Sequence, residues 1–291
     1  MCTAVTYKTK DSYFGRNLDL EYSYGECVAV TPRSFPLIFR HRDVTAHHYA
    51  FIGMAHIANA TPLYYDAVNE KGLAAAALRF THSAPYAKEK VGIASFEVIP
   101  FVLGTCASVS EVKSALAGMN ITDEHFPPNL PNTPLHWMIA DRHSSAVLEW
   151  NEDGLKIFDN PVGVLTNNPS FDRQLKTSFP SIPGGSSSEE RFVRAVHVRK
   201  NSVSDVSEAA SISQFFHILG SVSQTRGCNV TEDGLEITVY SSCMNLDRGI
   251  YYYKTYENSR ITAIDLQRTD LDSTSLLTFP LHTSQDIRRV N

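Results

Sequence analysis

The sequence predicts an α+β fold in which two β-sheets pack together and helices cover their outer faces. Along the chain, short strands are followed by two helices, more strands, two more helices and a last group of strands. Sheets and helices with one apolar face have to bury it against another layer, so this order is typical of layered folds. The length of 291 residues and the hydrophobic fraction of 43% suffice for a large core, and we expect one domain over residues 1–291.

The N-terminal segment predicts a β-hairpin. Val5 and Tyr7 alternate with polar neighbours, which indicates a strand. Asp11 and Ser12 are typical of a turn, and a second strand starts at Tyr13. A hairpin of this length returns the residues beyond the turn to the neighbourhood of the N-terminus.

The other elements follow from apolar spacing and from turn signals. The alanine run at 74–77 favours a helix by propensity, but the turn that ends at Gly72 predicts a strand instead. Predicted strands cover 26–40 (two strands and a turn), 49–58, 66–79 (two strands and a turn), 135–140, 146–150, 155–159, 162–166, 235–246, 249–256 and 260–266. Predicted helices cover 95–106, 108–119, 189–200 and 211–223.

Composition excludes several classes of function. A net charge of −5 and dispersed charges argue against nucleic acid, which requires a basic face. No apolar stretch approaches the length of a transmembrane helix, and the N-terminus lacks the features of a signal peptide. We therefore expect a cytoplasmic protein with neither a nucleic-acid nor a membrane partner.

The cysteines and histidines give no sign of a metal site. The five cysteines are odd in number and form no CxxC pair, which disfavours a disulfide framework and a zinc site. His47 and His48 are a lone adjacent pair, and no HExxH motif occurs. We expect no metal and no cofactor.

Cys2 is the first candidate for chemistry. If Met1 is removed, this residue carries a thiol nucleophile and a free α-amine, whose reference pKa of about 7.7–8.0 makes it a base near neutral pH. The predicted hairpin can return Arg16 and Asp19 to Cys2, where a guanidinium can favour the thiolate and a carboxylate can hold the amine. A chance Met-Cys start and an ordinary surface Arg–Asp pair are the competing interpretations.

The start of the chain, MCTAVTYKTKDSYFGRNLDLEYSYGE, resembles the choloylglycine hydrolases, the bile salt hydrolase and penicillin V acylase family of N-terminal-nucleophile hydrolases. The resemblance extends over essentially the whole chain and implies a four-layer αββα sandwich of two mainly antiparallel sheets. It also implies hydrolysis of a linear amide. Further segments resemble the family in family order: NEKGL at 69–73, PNTPLHWMIAD at 131–141, FDNPVGVLTNNPSFD at 158–172, RFVRA at 191–195, QFFHIL at 214–219 and YYYKTYEN at 251–258.

The resemblance also implies roles for individual residues. It makes Cys2 the nucleophile and its amine the base, with Arg16 and Asp19 in support. It gives Asn167 the role of an oxyanion donor, and Arg226 completes the site. From the residue pattern alone, ordinary Asn-Pro turn chemistry is the favoured interpretation of Asn167, and Arg226 can equally be a cation at a helix C-terminus.

The chain departs from the family pattern at Arg79, where bile salt hydrolases usually have Asn and penicillin V acylases often have Tyr. The backbone N–H of Arg79 can still serve the oxyanion hole, whereas a side-chain amide is missing there. By position, a group of mostly apolar residues resembles the family's substrate pocket, although core or loop packing explains each of them as well. These residues are Leu18, Ala58, Tyr65, Phe126 and Leu130.

The resemblance therefore implies an amidohydrolase that acts on small-molecule substrates, glycine- or taurine-conjugated bile salts. A penicillin V acylase with the same mechanism is the close alternative, and a catalytically silent ligand-binding relative is the alternative from another class. The FGRNLD and YSYGE segments favour the first, and Arg79 weakens the choice. The resemblance implies a homotetramer, but the link from Phe171 to Arg191 is shorter than the excursion that similar proteins use for assembly, which leaves the oligomeric state open.

Overall fold

The computed structural model describes residues 1–126, 132–231 and 234–291 and confirms the α+β class. Two large antiparallel sheets form its centre. The strands are β1 (Cys2–Lys8), β2 (Ser12–Leu20), β3 (Cys27–Thr31), β4 (Phe51–Ala58), β5 (Thr61–Asn69), β6 (Ala74–Arg79), β7 (Ile93–Ala94), β8 (Ile121–Thr122), β9 (Leu135–Ala140), β10 (Ser145–Asn151), β11 (Gly154–Asp159), β12 (Val164–Leu165), β13 (Val230–Thr231), β14 (Gly234–Leu235), β15 (Ile237–Asn245), β16 (Ile250–Thr255), β17 (Thr262–Asp265) and β18 (Leu277–Pro280). The α-helices are α1 (Val98–Thr105), α2 (Val109–Leu116), α3 (Phe171–Gln174), α4 (Ser188–Asn201) and α5 (Glu208–Gly220), and 3₁₀ turns cover Ser95–Glu97 and Leu266–Arg268.

The six-stranded sheet contains the predicted N-terminal hairpin. Its strand order is β12-β1-β2-β15-β16-β17, and each neighbouring pair is antiparallel. β15 lies so close to β2 that a Cβ atom on Gly15 would stand 2.0 Å from the carbonyl oxygen of Ser242. Only glycine permits this approach, so the strand that carries Arg16 is held tightly on both sides.

The eight-stranded sheet has the order β11-β10-β9-β6-β5-β4-β3-β18. The alanine run at 74–77 forms β6, as predicted, because the preceding turn reverses the chain beside β5. In that turn the side-chain oxygen of Asn69 accepts the backbone N–H groups of Lys71 and Leu73, each at 3.0 Å. Gly72 adopts a φ of +86°, a conformation that glycine reaches without strain.

Helices cover the outer faces of both sheets and complete the αββα arrangement. α4 and α5 pack on the six-stranded sheet, and α1 packs on β5 and β6 of the other sheet. One apolar cluster joins the facing sides of the two sheets and reaches α4 and α5, while a second lies between the eight-stranded sheet, α1 and α2. A site built between the sheets is therefore surrounded by rigid elements.

The second strand predicted within 26–40 does not form. β3 ends before Pro32, and Pro36 follows shortly after it. Proline has no backbone N–H to donate to a ladder, so the chain leaves the sheet there. Leu37 instead makes an isolated bridge with Thr45.

The sequence does not predict several short elements. β18, which pairs with β3 at the edge of the eight-stranded sheet, and α3 have four residues each, and the strands of the β7–β8 and β13–β14 pairs have two each. The helix predicted at 211–223 occurs as α5 but begins earlier, because the Ser207 hydroxyl accepts the backbone N–H of Ala210 as an N-cap.

No helix of the described residues is both long and apolar enough to cross a membrane. The same part of the chain contains no group of three or more His, Cys, Asp or Glu side chains that could hold a metal ion. All five cysteines are free thiols, and three of them, Cys2, Cys106 and Cys243, are buried.

Candidate active site

The hairpin places Cys2 and Arg16 in direct contact. Cys2 pairs with Leu18 across β1 and β2, so Arg16, two residues before Leu18, points to the same face of the sheet as Cys2. The Arg16 Nη2 atom lies 2.5 Å from the Cys2 sulfur. Both residues are buried, with Cys2 4% exposed and Arg16 0%.

Arg16 is fixed by backbone oxygens from both sheets. Its Nε donates to the carbonyl of Asn17 at 3.2 Å, and its Nη1 donates to the carbonyls of Tyr65 at 3.2 Å and Ala77 at 2.5 Å. Burial alone would lower the pKa of Arg16, but the surrounding negative groups, with Cys2 first among them, raise this pKa above its ordinary value. The guanidinium is therefore a permanent positive charge against the thiol.

Among the described residues, none donates a hydrogen bond to one of the two carboxylate oxygens of Asp19. Its Oδ1 accepts from the Thr238 hydroxyl at 2.6 Å, whereas Oδ2 is buried and accepts no hydrogen bond. Burial raises the pKa of Asp19, and the charges of Arg191 and of the terminal ammonium oppose that rise. A buried oxygen in this state is an acceptor available to a donor placed beside it.

Asn167 follows β12, and its side chain contacts the backbone of Cys2. Its Oδ1 accepts the backbone N–H of Cys2 at 2.8 Å, and its Nδ2 donates to the carbonyl of Arg79 at 2.8 Å. An amide nitrogen carries two hydrogens, so one donor of Nδ2 remains beyond the bond to Arg79.

Arg191, in the first turn of α4, is a second buried guanidinium at the cluster. Its Nη1 donates to the carbonyl of Cys2 at 2.5 Å and to the Thr3 hydroxyl at 2.6 Å, and its Nη2 donates to Asn167 Oδ1 at 2.8 Å. Arg191 is 0% exposed, and burial lowers its pKa. It joins the two segments that carry Cys2 and Asn167.

The backbone of Arg79 faces the same cluster. The N–H of Phe80 donates to Pro134 beside β9, and neighbouring residues of an antiparallel strand direct their backbone groups to opposite edges. The N–H and C=O of Arg79 therefore point away from β9, to the edge where Ala77 meets Arg16. The Arg79 side chain is exposed.

Comparisons with known proteins identify the family of the chain. The family model described as linear amide C–N hydrolases, choloylglycine hydrolase family, matches residues 2–179 and 176–279. A bile salt hydrolase/transferase from Lactiplantibacillus plantarum is 46% identical, and the alignment covers 100% of both chains. The chain belongs to the choloylglycine hydrolase family. It is thus an enzyme, a linear amide C–N hydrolase of the choloylglycine hydrolase type.

Solved structures give the same fold. The crystal structure of the C2A mutant of the conjugated bile acid hydrolase from Clostridium perfringens is 35% identical, with a TM-score of 0.91 and 100% of each chain covered. A penicillin V acylase from Agrobacterium tumefaciens is 22% identical, with a TM-score of 0.79 and coverage of 95% of this chain and 90% of its own. The second likeness concerns the fold alone.

The alignment with the Lactiplantibacillus relative also indicates a difference in length. It spans 324 positions, 33 more than the 291 residues of this choloylglycine hydrolase. The relative therefore has residues that this chain lacks.

The structure does not bring Arg226, a predicted site residue, to this cluster. Its guanidinium is exposed, pairs with Glu257 at 2.7 Å and lies over the ring of Tyr256. It also lies beyond the end of α5, so the alternative of a cation at the helix C-terminus does not describe it either. The resemblance gives no role to Arg191, although the RFVRA segment resembles the family. The available signal is spacing, because Arg191 and Ala195 lie four residues apart on the buried face of α4.

The residues predicted for the substrate pocket are only partly brought together. Leu18 is buried beside Cys2, and Tyr65, which is half-buried, contributes its carbonyl to Arg16. Ala58 is half-buried at the end of β4. Phe126 packs edge-on against Phe96, with 5.2 Å between the ring centres. Leu130 lies outside the described residues.

Proposed function

We propose that the chain hydrolyses the amide bond of glycine- or taurine-conjugated bile salts, with Cys2 as the nucleophile after removal of Met1. The observation that carries the proposal is the 2.5 Å contact between Arg16 Nη2 and the Cys2 sulfur in a buried site. A fixed guanidinium attracts a thiolate, which is the reactive form of cysteine. The names of the Lactiplantibacillus and Clostridium relatives support the substrate class.

The reaction proceeds through a thioester. The α-amine of Cys2 takes the thiol proton, and the thiolate attacks the carbonyl carbon of the amide. The resulting ammonium returns the proton to the amide nitrogen, the C–N bond breaks, and glycine or taurine leaves. The amine then takes a proton from water, whose oxygen attacks the thioester, and the C–S bond breaks to release the free bile acid and the thiol.

Two donors are available for the oxyanion. The N–H of Arg79 points to the edge of β6 that faces Arg16, and the second hydrogen of Asn167 Nδ2 is at the same edge, beside the Arg79 carbonyl. Preorganised donors of this kind stabilise the charge that develops on the carbonyl oxygen. Arg191 donates to both Asn167 and the Cys2 carbonyl, so it fixes the position of Asn167 relative to Cys2.

Asp19 serves the amine in this proposal. While Met1 is present, the Cys2 nitrogen is an amide with a single hydrogen, which Asn167 accepts, and no described residue donates to the buried Oδ2 of Asp19. Removal of Met1 gives that nitrogen further hydrogens. A carboxylate acceptor orients the amine and stabilises its protonated form.

An assay of the processed protein tests the proposal. Intact mass first establishes that Met1 is absent, and turnover is then measured with glycocholate, taurocholate and penicillin V. We expect turnover of both bile salts, little turnover of penicillin V, and a loss of nearly all turnover in Cys2→Ser because a hydroxyl ionises much less readily than a thiol.

Three results would count against the proposed substrate class, nucleophile and base, respectively. Preferential cleavage of penicillin V would replace the substrate class and keep the mechanism. A near-native rate in Cys2→Ser would place the nucleophile elsewhere. Full activity of protein that retains Met1 would exclude the α-amine as the base.

A further inference from the structure

A buried carboxylate holds the terminal ammonium of Met1 inside the fold. The Met1 nitrogen donates to the carbonyl of Asp19 at 2.7 Å and forms an ion pair with Glu236 Oε1. Glu236 is 2% exposed, and its other oxygen accepts from the side-chain amide of Asn229. Charge-assisted bonds in a buried setting are among the stronger hydrogen bonds of proteins, so this terminus is anchored.

The peptide bond between Met1 and Cys2 is held on both sides as well. The Met1 carbonyl accepts the backbone N–H of Asp19 at 2.9 Å, and the Cys2 N–H donates to Asn167 at 2.8 Å. An aminopeptidase has to take the free amine and this peptide bond into its own active site. The first residues must therefore leave the sheet before the bond can be cut.

We infer that Glu236 protects the unprocessed N-terminus from cleavage by an aminopeptidase. The ion pair between Glu236 and the Met1 ammonium is called the latch from here on. In a chain that starts at Met1, the latch protects the Met1–Cys2 bond once β1 has paired with β2, so Met1 has to be removed before this pairing. The cleavage itself is hydrolysis: water adds across the C–N bond, methionine leaves with a new carboxylate, and Cys2 keeps the amine. The expectation that a chain with Met1 retained is inactive rests on the proposed function. Protection of the Met1–Cys2 bond does not, because intact mass measures the retention of Met1 directly.

Glu21 provides a matched control for the charge of Glu236. Its carboxylate acts on the Met1 ammonium only at a distance, and its Oε1 accepts from the Thr231 hydroxyl at 3.0 Å. Glu21→Gln removes a negative charge near the same terminus and leaves the ion pair between Met1 and Glu236 in place. A difference between Glu21→Gln and Glu236→Gln therefore reports the direct contact.

The experiment starts from protein expressed while the host methionine aminopeptidase is inhibited, so that Met1 is retained. The folded wild type, Glu236→Gln and Glu21→Gln are incubated with purified methionine aminopeptidase, and intact mass follows the loss of methionine. A peptide of the first residues of the chain measures cleavage without the fold. We expect folded wild type and Glu21→Gln to resist cleavage relative to the peptide, and Glu236→Gln to be cleaved about tenfold to a hundredfold faster than wild type, because cleavage follows the population of the open form.

Three outcomes would overturn the inference. Wild type could lose Met1 as fast as the peptide, which would show that the folded terminus is accessible; this comparison requires no variant to fold. Glu236→Gln could be as resistant as Glu21→Gln with a wild-type unfolding midpoint, which would assign the protection to other contacts. Loss of Met1 from folded wild type without added aminopeptidase would show that processing follows folding.

Discussion

Arg191 and Arg226 carry the same guanidinium group in opposite surroundings. Arg191 is buried and bonds to Cys2, Thr3 and Asn167, whereas Arg226 is exposed and pairs with Glu257. We predict that Arg191→Lys lowers kcat by about tenfold or more, because one ammonium cannot reproduce the planar set of bonds. Arg226→Lys should keep kcat within about twofold, since an exposed ion pair is worth little. Steady-state kinetics of both variants measure the contrast, and an equal loss in the two would return Arg226 to the site.

The local sequence indicates some site residues and not others. Cys2 and Arg16 belong to one hairpin, so their contact could be predicted from a strand, a turn and a second strand. Arg191 bonds to the carbonyl of Cys2 across a separation of 189 residues, which no local pattern encodes. Arg226 has the residue type expected of a cation at the site. Its position away from the site depends on how the helices pack on the sheets, which the local sequence does not reveal.

Arg79 and Asn167 are predicted to differ in kinetic effect. The Arg79 side chain is exposed and only its backbone faces the cluster, so Arg79→Ala should keep kcat within about tenfold and raise KM in a salt-dependent manner. Asn167→Ala removes a proposed oxyanion donor and should lower kcat by about 10² or more. Kinetics at low and high salt measure both effects. A collapse of kcat in Arg79→Ala at unchanged KM would show that the guanidinium itself stabilises the transition state.

Among the elements, the start of α4 positions the segment after β12. The Ser188 hydroxyl accepts the backbone N–H groups of Asn167 and Asn168, both at 2.9 Å, and donates to the Thr166 hydroxyl at 3.0 Å. The preceding Ser187 caps the helix by accepting the N–H of Glu190 and makes no such bond to Asn167. A variant of Ser188 therefore tests the positioning of Asn167, whereas a variant of Ser187 tests the stability of α4.

This separation can be measured. Ser188→Ala should lower kcat by about tenfold, because small displacements of a catalytic side chain are costly. Ser187→Ala should reduce stability by about 0.5–2 kcal/mol through loss of the cap and change kcat little. Turnover and thermal unfolding of the two variants are compared, and equal losses of kcat would mean that Ser188 acts only through the helix.

The elements that were predictable are those with a strong local pattern. The turn at Asn69 and Gly72 identified β6 as a strand despite its alanines, and Ser108 identified the start of α2, where its hydroxyl accepts the Glu111 N–H. β18 has four residues, and its strand partner β3 lies near the other end of the chain. Such a strand is defined by the sheet edge on which it lies, so a local pattern does not indicate it.

Across the whole molecule, the site depends on how the two sheets are held together. The six-stranded sheet supplies Cys2, Arg16 and Asp19, and the eight-stranded sheet supplies the carbonyls that hold Arg16 and the backbone of Arg79. A second polar contact between the sheets lies behind Arg16. Asp66 on β5 accepts the hydroxyls of Tyr240 at 2.5 Å and Tyr251 at 2.6 Å, which belong to β15 and β16.

Removal of one of these hydroxyls should weaken the whole sandwich. Asp66 is 0% exposed, and burial raises its pKa above the ordinary value of 3.8, while Arg16 and the two tyrosines oppose the rise. Tyr251→Phe leaves the carboxylate with one donor fewer, so we predict a loss of about 1–3 kcal/mol in the free energy of unfolding at neutral pH. Tyr256→Phe is the control, because its hydroxyl accepts only the exposed backbone N–H of Arg226 at 2.9 Å among the bonds described, and should change stability by less than about 0.5 kcal/mol.

The pH dependence of this loss has a definite sign. A carboxyl whose pKa is raised by folding lowers stability as pH rises from the unfolded value of 3.8 towards the raised value, because the unfolded chain releases the proton first. Loss of the Tyr251 hydroxyl raises the pKa of Asp66 further. The stability difference between wild type and Tyr251→Phe should therefore grow with pH between the raised pKa of wild type and the still higher pKa of the variant, because Asp66 is ionised there in folded wild type but not in the folded variant. Denaturant unfolding at a series of pH values measures the difference. A difference that shrinks as pH rises would mean that the Tyr251 hydroxyl does not stabilise the ionised form of Asp66, and the two sheets would then owe their cohesion at this point to apolar packing alone.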